Sequence, residues 1–117
     1  MNVKTGRETR YKVERDWWSV HYNVSWDGKL FAGDGGDSGQ VAFAKDGMWI
    51  NLFRRKFFGG GLSREKLVNM SKQNYLGFDG EPNVSITPDD KWVVYRSNMH
   101  GPVHVYAVEI AKSRREM

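Results

Sequence analysis

Two related stretches decide the fold: they read NVSWDGKLFAG at residues 23–33 and NVSITPDDKWVVY at residues 83–95. Each reads as a short strand, a polar turn with a lysine, and a second, apolar strand. Asp27-Gly28 is a strong hairpin signal, and Pro88-Asp89-Asp90 is a longer turn of the same kind. Aligned on the shared Asn-Val-Ser, the second copy has two additional turn residues. The pattern therefore predicts a strand-rich unit that repeats after about 60 residues.

Further strands are predicted around both hairpins. Residues 48–54 are mostly apolar and predict a third strand, and residues 65–70 predict a fourth strand after the Gly59-Gly60-Gly61 turn. In the second unit, the alternation over residues 103–110 predicts the third strand. Residues 9–13 predict one more strand, which would close an earlier unit.

The predicted fold class is all-β, with antiparallel four-stranded blades that form the C-terminal part, about two blades, of a β-propeller. Residues 1–15 would end one blade, residues 16–75 would form a complete blade, and residues 76–117 would form a last blade without its outer strand. A propeller closes with about 4–8 blades, so this chain would be one portion of the ring. An alternative stays open: an independent antiparallel domain of about nine strands, built by duplication.

Composition restricts the possible classes of protein. The chain has 117 residues, of which 39% are hydrophobic and 14% aromatic, with 13 glycines, as is typical of one β-rich domain. The absence of cysteine excludes a disulfide framework and thiolate chemistry. The net charge of +4 is compatible with an acidic ligand and is lower than expected for a dedicated nucleic-acid binder. No apolar run is long enough for a membrane span, and the first residues lack the apolar core of a signal peptide, which leaves the compartment open.

Residues 19–36 (SVHYNVSWDGKLFAGDGG) and 81–90 (EPNVSITPDD), followed by the strand at 103–110, resemble the late blades of the oligogalacturonate lyase family. The resemblance covers nearly the whole chain but only about the last third of a family member. It implies a TolB-like, seven-bladed β-propeller that cleaves acidic, pectic oligosaccharides by β-elimination. In that family a divalent metal, usually manganese, binds the uronate carboxylate and acidifies the C5 proton, which a basic residue removes.

The resemblance also implies a set of metal ligands. His21 occupies the position of the first metal-binding histidine, just before the hairpin. Glu81 and Asn83 occupy the positions of two further histidines, and Phe78 occupies that of a glutamine. Glu81 and Asn83 offer oxygen ligands, which suit manganese, magnesium or calcium. The alternatives are that His21 is a hydrogen-bonded histidine on an inner strand and that Asn83 caps a turn.

Blade geometry predicts which side chains would surround such a metal. The loop that enters a first strand and the loop that joins the second strand to the third lie on the same face of a blade. Arg96, Asn98 and His100 are therefore predicted substrate contacts, with Arg96 pairing a uronate carboxylate or, alternatively, forming a salt bridge within the blade. Asp34 and Asp37 would bind a cation or only shape a glycine-rich turn.

Two functions follow from these patterns. In the first, the chain is part of a polysaccharide lyase with a divalent metal near His21. In the second, it is part of a non-catalytic TolB-like propeller that binds a protein or a carbohydrate on the same face, because three of the four family ligands are replaced. Neither function predicts contact with nucleic acid or a membrane.

His104 lies inside a predicted strand, which favours a structural role. The chain alone is expected to be inactive and only marginally stable without the neighbouring blades.

Overall fold

The computed structural model describes residues 1–35, 42–56, 60–75 and 81–110, and within them the chain is mainly antiparallel β-sheet. The first sheet contains β1 (His21–Val24), β2 (Leu30–Asp34), β3 (Ala42–Ala44), β4 (Gly47–Arg55) and β5 (Leu62–Asn69), and the second contains β6 (Ser85–Ile86), β7 (Trp92–Ser97) and β8 (His104–Glu109). The helical structure of the described ranges is one short 3₁₀ turn, Arg15–Trp17. In this part of the chain there is no helix of the length and apolarity needed to cross a membrane. The prediction of an all-β, antiparallel chain is thus confirmed.

The first sheet is a meander of four rows, because β2 and β3 form one interrupted row. Gly33 of β2 pairs with Asn51 of β4, and Ala42 of β3 then pairs with Trp49 of the same strand. The other edge of β4 is occupied by β5, where Trp49 pairs with Asn69. The row that pairs with this edge of β4 is therefore interrupted between β2 and β3.

The second sheet repeats the first hairpin at a constant spacing of 62 residues. Val24 pairs with Phe31 in the first hairpin, and Ile86 pairs with Val93 in the second. Each residue of the second pair therefore lies 62 positions after its equivalent in the first pair. The predicted alignment, with two additional residues in the second turn, is wrong. The two turns have the same length.

Identical hydrogen bonds explain this equality. The Ser25 hydroxyl donates to the Asp27 carboxylate at 2.8 Å, and the Thr87 hydroxyl donates to the Asp89 carboxylate at 2.6 Å. The residue after each aspartate has a positive φ, 71° and 58° respectively, as such turns require. The turn chemistry, Ser/Thr-x-Asp, sets the correspondence, whereas the shared Asn-Val-Ser triplet is coincidental. His21 consequently corresponds to Asn83.

The two sheets pack face to face around one core. Leu30, Ala32 and Leu52 of the first sheet belong to one buried cluster with Ile86, Val93 and Tyr95 of the second sheet and with the adjoining Val84 and Ile110. Polar side chains on the same face add hydrogen bonds between the sheets. The side-chain oxygen of Asn23 accepts from the backbone N–H of Ile86 at 2.9 Å. Cross-strand neighbours share a face, so His21, Asn23 and Asp34 all face the second sheet.

Two strand predictions need correction. Residues 9–13 form no strand, because residues 9–11 lie beside the hairpin turn and the end of β4, where they line a cleft instead of pairing with an edge strand. The fourth strand begins at Leu62 instead of residue 65, because β4 extends to Arg55 and Leu62 pairs with it. Residues 111–117 lie outside the described ranges.

Candidate functional site

His21 and Asp34 are a cross-strand pair at the open end of the first hairpin. The register follows from the turn: once the strands are closed by the Ser25–Asp27 turn, counting outward brings His21 opposite Asp34. Nδ1 of His21 lies 3.3 Å from Oδ1 of Asp34. The aspartate side chain is 1% exposed and the histidine side chain 46% exposed. A buried carboxylate therefore contacts the inner nitrogen of a ring whose outer nitrogen is accessible.

The carboxylate of Asp34 also joins the two sheets. Its Oδ2 accepts a hydrogen bond from the backbone N–H of Val84 at 2.9 Å. Its Oδ1 has no hydrogen-bond partner within the described part of the chain, which leaves the contact with His21. Burial raises the pKa of Asp34, while the Val84 hydrogen bond and the nearby His21 oppose that rise.

Glu81 completes the arrangement from the second sheet. Its Oε1 lies 3.9 Å from Nε2 of His21, so the imidazole lies between two carboxylates. We call the group His21, Asp34 and Glu81 the histidine site. Arg96 fixes the backbone of Glu81, because its Nε donates to the Glu81 carbonyl oxygen at 2.7 Å. The backbone N–H of Arg96 also donates to the carbonyl oxygen of Pro82, at 2.9 Å.

Asn83 follows Glu81 in the chain at the edge of the histidine site. It is exposed and has a positive φ of 52°, a conformation that asparagine adopts more readily than most residues. The next residue, Val84, is the donor to Asp34. Across the described ranges there is no group of three or more His, Cys, Asp or Glu side chains placed to hold a metal ion. The Asp37 and Phe78 positions lie outside those ranges.

The other predicted substrate contacts have structural partners. Nδ2 of Asn98 donates to the carbonyl oxygen of Asn74 at 2.7 Å, and its Oδ1 accepts from the N–H of Asn74 at 2.9 Å. The ring centroid of His100 lies 5.8 Å from that of Tyr106, edge to face, and the centroid of His104 lies 6.3 Å from the same ring. The structure thus brings His21, Glu81 and Arg96 together and gives Asn98 and His100 separate surroundings.

The sequence pattern singles out His21 and Glu81, but it does not identify Asp34 as the partner of the histidine. The sequence does contain a signal for this pair, because the hairpin register places Asp34 opposite His21. The contact with Glu81 depends on how the sheets pack and has no comparable signal. Comparisons of the chain with protein-family models, with curated proteins and with solved structures gave no match.

Proposed function

We propose that the chain forms adjacent blades of a β-propeller that cleaves acidic oligosaccharides by β-elimination, as the resemblance to oligogalacturonate lyases implies. The observation that carries this proposal is the histidine site. A ring held by a buried carboxylate and facing a second carboxylate is an arrangement suited to ligate a cation or to move a proton. Arg96 contributes by fixing the backbone of Glu81.

The architecture supports the assignment to a propeller. Four antiparallel rows followed by a second antiparallel sheet with the same hairpin, packed face to face, is the arrangement expected of neighbouring blades. The outer face of the second sheet exposes apolar side chains: Val105 is 74% exposed and Trp92 is 39% exposed. Such a surface is typical of a face that packs against another element.

Part of a manganese site fits the residues present. His21 and Glu81, whose Nε2 and Oε1 are 3.9 Å apart, are the residues that would hold the ion. The unpaired Oδ1 of Asp34 behind the ring matches the carboxylate that commonly orients a metal-binding histidine. Asn83 would add an amide oxygen, and water or the uronate carboxylate would supply the remaining ligands. A bound cation would stabilise the negative charge that develops on the uronate as its C5 proton leaves.

The protein's own groups have defined tasks in this proposal. Asp34 holds the Nδ1 side of His21, which fixes the ring orientation and directs Nε2 outward. Glu81 offers the opposing oxygen at the accessible side of the ring. Because Arg96 binds the carbonyl of Glu81, its loss would displace that carboxylate without removing a ligand. We therefore assign Arg96 a positioning role.

Oligogalacturonate is the test substrate, applied to the propeller that contains this chain. Elimination produces a 4,5-unsaturated uronate, whose ultraviolet absorbance is followed over time. His21→Ala should abolish the increase in absorbance and lower the bound manganese, whereas His104→Ala, a matched histidine outside the site, should retain both. Equal activity in wild type and His21→Ala would contradict the proposal. Binding of oligogalacturonate without any product would favour the non-catalytic propeller.

A further inference from the structure

A second feature of the molecule is a strongly basic cleft at the opposite end of the first hairpin. The cleft has a volume of about 580 Å³ and lies between the N-terminal segment, the hairpin turn and the end of β4. Its lining has five basic side chains, Arg10, Lys29, Arg54, Arg55 and Lys56, beside Tyr11. No acidic residue is among the described residues that line it. This volume is in the range of small-molecule sites.

The positive charges converge from three separate segments, so their proximity is a result of folding. Like charges brought together repel each other, and a cleft focuses the field that they produce. Arg10 lies 3.4 Å from Glu8, a highly exposed pair that is weakened further by solvent. For Lys29, Arg55 and Lys56 no ion pair is present within the described ranges. The cleft thus keeps an excess of positive charge.

Arg54 adds unused hydrogen-bonding capacity. Its Nη1 donates to Glu65 at 2.7 Å, but its buried Nε and Nη2 have no hydrogen-bond partner among the described residues. Nε–H and Nη2–H form one edge of the guanidinium, the edge that binds two oxygens of a carboxylate or phosphate. Leaving such donors buried and unpaired costs free energy, and Arg54 is one of the residues that line the cleft.

We propose that the basic cleft binds a small polyanion through at least two carboxylate or phosphate groups. Either group satisfies the same chemistry, so the ligand would be an acidic oligosaccharide or a molecule with linked phosphates. This site is separate from the histidine site, since Lys29 precedes β2 and Asp34 ends it. The four residue-to-residue steps from Leu30 to Asp34 separate the two ends by about 13 Å along the strand.

The repeat provides a matched control for this proposal. Lys29 lines the cleft, and Lys91 is its equivalent, 62 residues later, in the second turn. The backbone N–H of each lysine donates to the aspartate of its own turn, at 3.0 and 3.1 Å. Lys29→Glu and Lys91→Glu therefore change the net charge equally in the same local structure. Only the first change places a negative charge in the cleft.

Binding of pyrophosphate and of digalacturonate to the 117-residue chain is measured by calorimetry at low and at physiological ionic strength. We expect one of them to bind, with Lys29→Glu weakening it by about tenfold and Lys91→Glu changing it less than about twofold. Arg55→Gln, at an exposed position, is a second cleft variant and should also weaken binding. Binding of pyrophosphate alone identifies a phosphate ligand, and binding of digalacturonate alone a carboxylate ligand.

Two results would overturn the proposal. One is equal weakening by Lys29→Glu and Lys91→Glu, which would mean a diffuse attraction to net charge. The other is absence of binding by both anions at millimolar concentration in chains whose circular dichroism matches the wild type.

Discussion

Replacing Asp34 by alanine should destabilise the contact between the two sheets. The change removes a charged acceptor from the backbone N–H of Val84, a residue that is 8% exposed, and leaves that donor buried. A hydrogen bond to a charged group contributes about 1.5–3 kcal/mol, and an unsatisfied buried donor costs about 1–3 kcal/mol. These two figures describe the same loss and are not added. Relief from burying a carboxylate offsets part of it, so we expect a net loss of about 1–3 kcal/mol.

Urea unfolding, followed by tryptophan fluorescence, measures this loss. With a slope of about 1–2 kcal/mol per molar urea, the midpoint should fall by about 0.5–3 M. All variants are compared in the same sucrose-containing buffer, which stabilises the folded chain enough to define the baseline. Asp34→Asn should lose less, because its amide oxygen can still accept from Val84.

Asp46→Ala is the matched control, since Asp46 pairs with Lys66 at 2.9 Å on the exposed side of the first sheet. Its midpoint should fall by less than that of Asp34→Ala, because surface ion pairs contribute little. If Asp34→Ala and Asp46→Ala unfold at the same urea concentration, the buried carboxylate does not hold the sheets together and the reasoning is refuted.

Two more predictions concern pH and Asn98. Burial raises the pKa of Asp34 above its ordinary 3.8, so its contribution to the free energy of unfolding is full below about pH 4 and is lost as pH rises through the folded-state pKa. The stability of wild type relative to Asp34→Asn should therefore fall as the pH rises above about 4, and a constant difference would show that the pKa is unchanged on folding. Asn98→Ala removes two hydrogen bonds to the backbone of Asn74, so the free energy of unfolding should fall by about 1–2 kcal/mol while affinity for oligogalacturonate stays the same. Lost affinity at unchanged stability would restore Asn98 as a substrate contact.

Local chemistry explains which parts of the fold can be predicted from the sequence. The Asp27-Gly28 turn fixes the register of its own hairpin, so the strands and the opposition of His21 to Asp34 follow from a few neighbouring residues. The second turn has the same hydrogen bonds, with Thr87 in the position of Ser25 and Asp89 in the position of Asp27. Aligning by residue identity missed this equivalence, because it weighs the shared triplet above the hydroxyl and carboxylate that form the turn.

Non-local packing explains what the sequence does not predict. The apolar residues of 9–13 are compatible with a strand, but residues 9–11 lie beside the first hairpin turn and the end of β4, where they pair with no strand. The two hydrogen bonds between the Asn98 side chain and the Asn74 backbone join residues 24 positions apart. The meeting of Glu81 with His21, like that of Arg10 with Lys29 in the basic cleft, depends on the packing of distant segments.

Manganese titration of the chain, labelled at its histidine side chains and backbone amides, tests the histidine site most directly. Paramagnetic Mn²⁺ broadens NMR signals close to it, so substoichiometric addition should selectively broaden the ring signals of His21 and the amide of Glu81. The ring signals of His104 should stay sharp, and Glu81→Gln should require more manganese for the same broadening. If His21 and His104 broaden equally, or if Glu81→Gln leaves the titration unchanged, His21 and Glu81 do not form a cation site and the proposed function loses its basis.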